Sequence, residues 1–154
     1  IMDLGMCNIS KLCNAVLESV KVTCRKPIDF VFNCDIDNVS FVTDEVRLRQ
    51  VLINLLTNSV KFSEKGVISI TLSVNPKVNI AKFSVSDNGC GIKKENEEKV
   101  FERFVKLNQF KQGTGLGLQI CRQIIERLGG KIWLDTNYTE GAKFSFIHPI
   151  DLKE

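Results

Sequence analysis

The segment Asp44–Lys61, DEVRLRQVLINLLTNSVK, constrains the fold more than any other, because its polar residues are placed wrongly for an ordinary surface helix. At about 100° per residue, Arg47, Gln50, Asn54, Asn58 and Lys61 fall in one narrow stripe. Leu48, Val51, Leu52, Leu55 and Phe62 lie on one side of it, and Ile53, Leu56 and Val60 on the other. A helix that is apolar around most of its circumference is a buried helix, so the stripe is expected to line a cavity. Two asparagines one turn apart can ligate a hard cation and donate to phosphate oxygens, and Lys61 adds positive charge a turn further on. The helix therefore reads as the floor of a phosphate and metal site. Taken alone, the same stripe fits a solvated face equally well.

The rest of the chain supplies an ordinary core. Its 154 residues, 44% hydrophobic and 25% charged, suit one globular domain spanning 1–154. A formal charge of +3 is too mild to argue for nucleic acid or an anionic membrane surface. No apolar run approaches the ~18 residues that cross a bilayer, and no signal peptide opens the chain. The six cysteines form no CxxC pair and a single histidine is present. Scattered thiols acting as small hydrophobes in a reducing cytoplasm account for them better than zinc or disulfides.

In chain order, apolar residues recur at helical spacing over Asn8–Cys24, and Ile28–Cys34 alternates as a strand. Ser40–Val42 makes a short strand before the central helix, whose N-cap is Thr43 or Asp44. Val67–Val74 and Ile80–Ser86 read as an antiparallel hairpin. Lys93–Phe104 holds one short helix, and Val105–Gln112 is a mobile stretch, with the highest mobility over Gln109–Gly113. A helix with apolar Ile120, Cys121, Ile124, Ile125 and Leu128 ends at Gly129-Gly130. Two closing strands are Lys131–Asp135 and Ala142–His148. Helices and antiparallel strands without a repeating βαβ rhythm argue α+β, one sheet with helices on one face.

Two glycine-rich turns carry the chemistry. In DNGCGI, Gly89 and Gly91 allow a sharp turn and close approach to a flat ligand, and Asp87 can accept from an exocyclic amino group. On its own, an Asx turn closing a strand is the simpler account of Asp87. In GTGLGL, three alternating glycines precede a helix N-terminus, where unpaired amides and the helix dipole make an anion site, and Thr114 adds a hydroxyl. The run matches neither the P-loop nor the dinucleotide fingerprint.

The Asn-bearing helix, DxGxG, FERF and GxGxG, in that order, resemble the N, G1, F and G2 boxes of the catalytic ATP-binding domain of sensor histidine kinases. The resemblance spans about residues 3–150, and VFERFVKLNQFKQGTGLGLQIC is especially similar to hybrid and membrane-receptor kinases. It implies a two-layer α/β sandwich (Bergerat-type) with a mixed, mostly antiparallel sheet and helices on one face. It implies ATP and Mg²⁺ as cofactors, Asn58 as the metal ligand, and Asn54, Asn58 and Lys61 as catalytic residues. Asp87 would meet the adenine amino group, with Gly89, Gly91 and Ile92 shaping the pocket. Phe101 and Phe104 would anchor an ATP lid over about Lys93–Gln112, and Arg103 would contact phosphate or a partner. Gly113, Thr114, Gly115, Leu116 and Gly117 would hold the phosphates.

The implied activity is transfer of the γ-phosphate to a histidine on a separate dimerisation domain, followed by a response-regulator receiver domain. Asn54 stands where ATP-hydrolysing members carry an acidic base, which disfavours a self-contained ATPase. A nucleotide-binding scaffold without phosphotransfer is the other alternative, and the four intact boxes argue against it. His148, alone in a late strand beside Pro149, reads as structural. With no initiator Met, the chain is expected to be a monomeric fragment of a larger kinase, without membrane contact of its own. It would be the cytoplasmic portion of a membrane-bound receptor.

Overall fold

The computed structural model describes residues 1–89, 95, 101 and 117–154. In order, the elements are β1 (Gly5–Asn8), α1 (Ile9–Thr23), β2 (Ile28–Cys34), β3 (Ser40–Thr43), α2 (Glu45–Phe62), β4 (Gly66–Asn75), β5 (Ile80–Ser86), α3 (Gly117–Arg127), β6 (Lys131–Leu134) and β7 (Lys143–Pro149). The ranges 93–104, where a short helix is expected, and 105–112, expected to be mobile, lie outside the described residues, save Glu95 and Phe101.

Five strands form one sheet in the order β2-β4-β5-β7-β6, with β1 and β3 in a separate ribbon. The β2–β4 pair is parallel and the other three pairs are antiparallel, so the sheet is mixed and mostly antiparallel. Strand side chains alternate between faces, and the register collects the large ones on one side. Phe32 pairs with Ile70, Ile70 with Val85, Val85 with Phe144, and Phe144 with Leu134. The next row runs Leu72, Phe83, Phe146, Ile132. These rows are covered by the helices. Phe83 stacks on Phe146 with ring centroids 4.6 Å apart, and Phe41 of the ribbon meets Phe83 edge-on at 6.4 Å. The opposite face carries Ser69, Thr71, Lys82, Ser84, Lys143 and Ser145. The result is the two-layer α+β sandwich the sequence implied.

Local chemistry explains the helix starts. Asn8 caps α1, its Oδ1 accepting from the Lys11 amide at 3.0 Å. Of the two candidate caps for α2, Asp44 is the one used: its Oδ1 accepts from Arg47 N at 3.1 Å and its Oδ2 from Asp3 N at 2.9 Å. α3 closes with Gly130 N donating to Ile125 O at 2.9 Å.

Two expectations are corrected. The strand β1 precedes α1 and was not foreseen, because four residues with one buried side chain, Cys7, carry no period to detect. And α2 is not apolar-buried around most of its circumference. Its buried residues, Leu48, Val51, Leu52, Leu55, Leu56 and Ser59, form one arc facing the sheet and its neighbours, while Ile53, Val60 and Phe62 are half-buried and Val46 is exposed. The polar stripe runs along one border of that arc.

Candidate functional site

Asp87 follows β5 directly and is 2% exposed, which a carboxylate tolerates only with partners. Its Oδ1 accepts from Gly89 N at 2.8 Å and from Ala142 N at 3.0 Å. Its own N–H donates to Ala142 O at 3.0 Å, and its carbonyl accepts from Tyr138 Oη at 2.8 Å. The Gly89 bond is the Asx turn that was the simpler account of Asp87. One oxygen builds the turn, and Oδ2 takes part in none of these bonds.

Two glycines let this loop sit where it does. A Cβ on Gly89 would collide with the carbonyl of Phe62, and a Cβ on Gly141 with the carbonyl of Asp87. The first contact ties the Asp87 loop to the last turn of α2, one residue beyond Lys61. The second ties it to the β6–β7 turn. Asn88 completes the joint, its Oδ1 accepting from Val67 N at 2.8 Å at the start of β4.

Along α2, Asn54, Asn58, Gln50 and Lys61 are half-buried and Arg47 is exposed. The stripe is thus sheltered from its middle to its C-terminal end. Its neighbour is the start of α3: a Cβ on Gly117 would lie 3.8 Å from Asn54 Cγ. Beneath Asn54, Cys121 Sγ donates to Val51 O at 3.7 Å, and burial pushes this thiol up to about 12 against the partial relief of a hydrogen bond from Asn54. At that value Cys121 is a small hydrophobe, not a nucleophile.

Phe101 is 3% exposed, set edge-on to Phe144 at 5.8 Å with the Arg122 guanidinium 4.9 Å over its ring. It is an aromatic peg in the core between α3 and β7. Of the other expected site residues, Gly91, Ile92, Arg103, Phe104, Gly113, Thr114, Gly115 and Leu116 lie outside the described residues.

His148 is 0% exposed. Its Nδ1 is 2.7 Å from Pro149 O and must donate, because a carbonyl only accepts; Nε2 therefore accepts from Thr43 Oγ1 at 2.8 Å. Burial lowers its pKa from the ordinary 6.5, and the Pro149 bond offsets this in part. Both ring nitrogens are engaged, which makes this histidine a structural link between β7 and β3.

Sequence reasoning missed the groups that hold Asp87 and α2 in place: Tyr138, Gly141 and Ala142 from the β6–β7 turn, and Lys26 from the α1–β2 connection. Gly141 closing a turn before the last strand was a visible signal. Tyr138 and Lys26 act across 51 and at least 34 residues of sequence and left none. Among the described residues no group of histidines, cysteines and carboxylates could hold a metal ion by itself.

The fold is an α/β sandwich in which a buried carboxylate at a strand end lies one residue from a loop packed on the last turn of an amide-bearing helix. The family profile described as histidine kinase-, DNA gyrase B- and HSP90-like ATPase matches residues 43–152, and the chain belongs to that family. Among curated relatives, hybrid signal transduction histidine kinase C of Dictyostelium discoideum is 35% identical over 97% of this chain and 13% of its own length. Sensor histidine kinase WalK of Bacillus subtilis is 30% identical over 92% of this chain and 24% of its own. The chain therefore spans well under half of either relative. Among solved structures, the catalytic domain of histidine kinase ThkA, nucleotide-free, superposes with a TM-score of 0.86 at 38% identity, covering 97% of both chains. Full-length ShkA in complex with AMPPNP gives 0.87 at 31% identity, covering 97% of this chain and 31% of that one.

Proposed function

We propose that this chain is the ATP-binding catalytic domain of a sensor histidine kinase, one domain over 1–154 within a longer protein. It transfers the γ-phosphate of ATP to a histidine on a separate dimerisation domain. The observation that carries the reading is Asp87: a 2%-exposed carboxylate with Oδ1 fixed by two amides and Oδ2 outside those bonds. A pure acceptor held this way fits the amino group of adenine. The complex of ShkA with AMPPNP supports an adenine nucleotide as ligand in this fold.

The roles follow from the side chains. Asn58 offers a neutral amide oxygen to Mg²⁺, and no carboxylate cluster competes for the ion among the described residues. That suits a cation that keeps its waters and leans on substrate phosphates. When bound, Mg²⁺ neutralises charge on the β- and γ-phosphates. Lys61 contributes a cation beside the phosphates. Asn54 cannot take a proton from water, so the site holds its γ-phosphate for a better nucleophile instead of activating water. Gly89, Gly91 and Ile92 shape the base pocket, Phe101 and Phe104 anchor the lid segment, and Arg103 meets phosphate or partner. Gly113, Thr114, Gly115, Leu116 and Gly117 cradle the phosphates at the start of α3.

The acceptor is an imidazole nitrogen of the partner domain. It attacks phosphorus in line as the bond to the ADP oxygen breaks, and the protein's share is positioning and charge neutralisation. His148 is unsuited to that part, because it is fully buried with both nitrogens bonded. A response-regulator receiver domain is the next acceptor, a reading supported by histidine kinase ThkA having been solved in complex with response regulator TrrA. Among the described residues no helix is long and apolar enough to cross a membrane, and we place this domain on the cytoplasmic side of its parent receptor.

The test is Asp87→Asn, with a dimerisation domain supplied. Asn keeps an oxygen for the Gly89 and Ala142 amides, so the fold should survive, but it turns an N–H₂ toward the adenine amino group. ATP affinity should fall by at least about a hundredfold, with phosphotransfer lost alongside it. Unimpaired transfer by a folded variant would remove Asp87 from the base pocket.

A further inference from the structure

The last turn of a helix leaves four carbonyls without intrahelical partners. In α2 these orphans lie beside the turn that carries Asn58 and Lys61. Val60 O takes the amide of the cap residue Ser63 at 3.4 Å, and a side chain from elsewhere adds to it. Lys26, from the connection between α1 and β2, reaches across and donates through Nζ to Val60 O at 2.7 Å, to Ser63 O at 2.8 Å and more distantly to Lys61 O at 3.5 Å. Its side chain is 30% exposed. Glu64 lies 3.8 Å away but is 73% exposed, so that ion pair contributes little and the carbonyls are what hold the ammonium. A cation at this end also complements the negative pole of the helix dipole.

The same turn is the abutment for the Asp87 loop, which packs Gly89 against the Phe62 carbonyl. The next residue after Lys26 is also bonded here, Pro27 O accepting from Gly66 N at 3.4 Å. Three segments distant in sequence therefore meet at one joint, where Lys26 bonds the carbonyls of Val60, Lys61 and Ser63.

We propose that Lys26 is a positioning residue for the nucleotide site: by clamping the C-terminal turn of α2 from outside the helix, it sets where Asn58 and Lys61 meet the metal and phosphates. This rests on the nucleotide reading above. Lys26 itself touches no substrate. Asp87 reaches the clamped turn only through Gly89 and is otherwise held by the β6–β7 turn through Tyr138 and Ala142, so the base contact depends on the clamp less than Asn58 and Lys61 do. The clamp is felt more by the phosphate end of the ligand than by the base end.

That asymmetry supplies the experiment. Mg–ATP and adenosine are titrated separately into wild type, Lys26→Met and Lys26→Arg, each first shown by urea titration to be folded at the assay temperature. Lys26→Met should weaken Mg–ATP about tenfold, as loss of an outer-shell support does, with adenosine changed less than about twofold, and Lys26→Arg should restore most of the loss because its fork still donates to carbonyls. If Lys26→Met does not fold, Lys26→Gln, neutral but still a donor, is measured in its place. A folded Lys26→Met, or Lys26→Gln where it stands in, that binds Mg–ATP as wild type does overturns the role, and so does an equal loss for both ligands, which marks general loosening. A folded wild type that binds neither ligand overturns the nucleotide reading itself and this role with it.

Discussion

Asp87 and His148 are both buried polar side chains, and their hydrogen bonds assign them opposite duties. Asp87 spends one oxygen on structure, whereas His148 spends both nitrogens, and that difference separates a candidate ligand group from a link in the core. Thr43→Val should cost about 1–3 kcal/mol in urea unfolding at pH 8, since it leaves Nε2 buried without its donor. His148 also makes stability pH-dependent. Its folded pKa lies below the ordinary 6.5, so the unfolded chain takes up the proton first. Its stabilising share is whole above pH 6.5 and is lost as pH falls from there toward the folded value. The stability gap between wild type and His148→Gln should therefore narrow from pH 7 to pH 5; a gap that widens would place the folded pKa above the unfolded one. Asp87 and His148 were legible in the sequence, one from DxGxG and one from its isolation. Their partners were not, because Tyr138 and Thr43 meet them across 51 and 105 residues, where no spacing rule reaches.

Helices and strands were both read closely, β2 and β5 to the residue and α1 to within one residue at each end. A 3.6-residue period over α1 and α3 survives into the structure with every expected buried position of α1 in the core. The reading of α2 as buried nearly all round failed for a physical reason: only one arc of the helix packs on the sheet and its neighbours, and Ile53, Val60 and Phe62, outside the centre of that arc, stay half-buried. β1 escaped because a four-residue ribbon strand has no period. It matters nonetheless, since Asp3, just ahead of it, donates to the α2 cap. Asp44→Ala removes a cap that satisfies two amides, and should lower stability by about 1–2 kcal/mol in urea or thermal unfolding. A loss under ~0.3 kcal/mol would mean that water replaces the carboxylate at no cost.

Across the whole molecule, the alternation of the strands foretold a sheet with one greasy face, but not the strand order β2-β4-β5-β7-β6 or the parallel β2–β4 pair. Register fixes faces locally, whereas order depends on which edges the helices cover, and that is a property of the assembled layers. The architecture brings the loop after β5 against the last turn of α2 and the first turn of α3 against Asn54. In the proposed reading each would contribute a different chemistry: an acceptor for the base from Asp87, amides and a cation for phosphate and metal from α2, and a dipole for anions from α3. The most direct test of that account is a binding titration of the folded chain with ATP and with GTP, with and without Mg²⁺. Guanine presents a carbonyl where adenine presents its amino group, so Asp87 should repel it. The account predicts ATP bound at least about tenfold more tightly than GTP, with Mg²⁺ strengthening ATP. Equal affinity for the two nucleotides, or no binding of either by the folded chain, would contradict it.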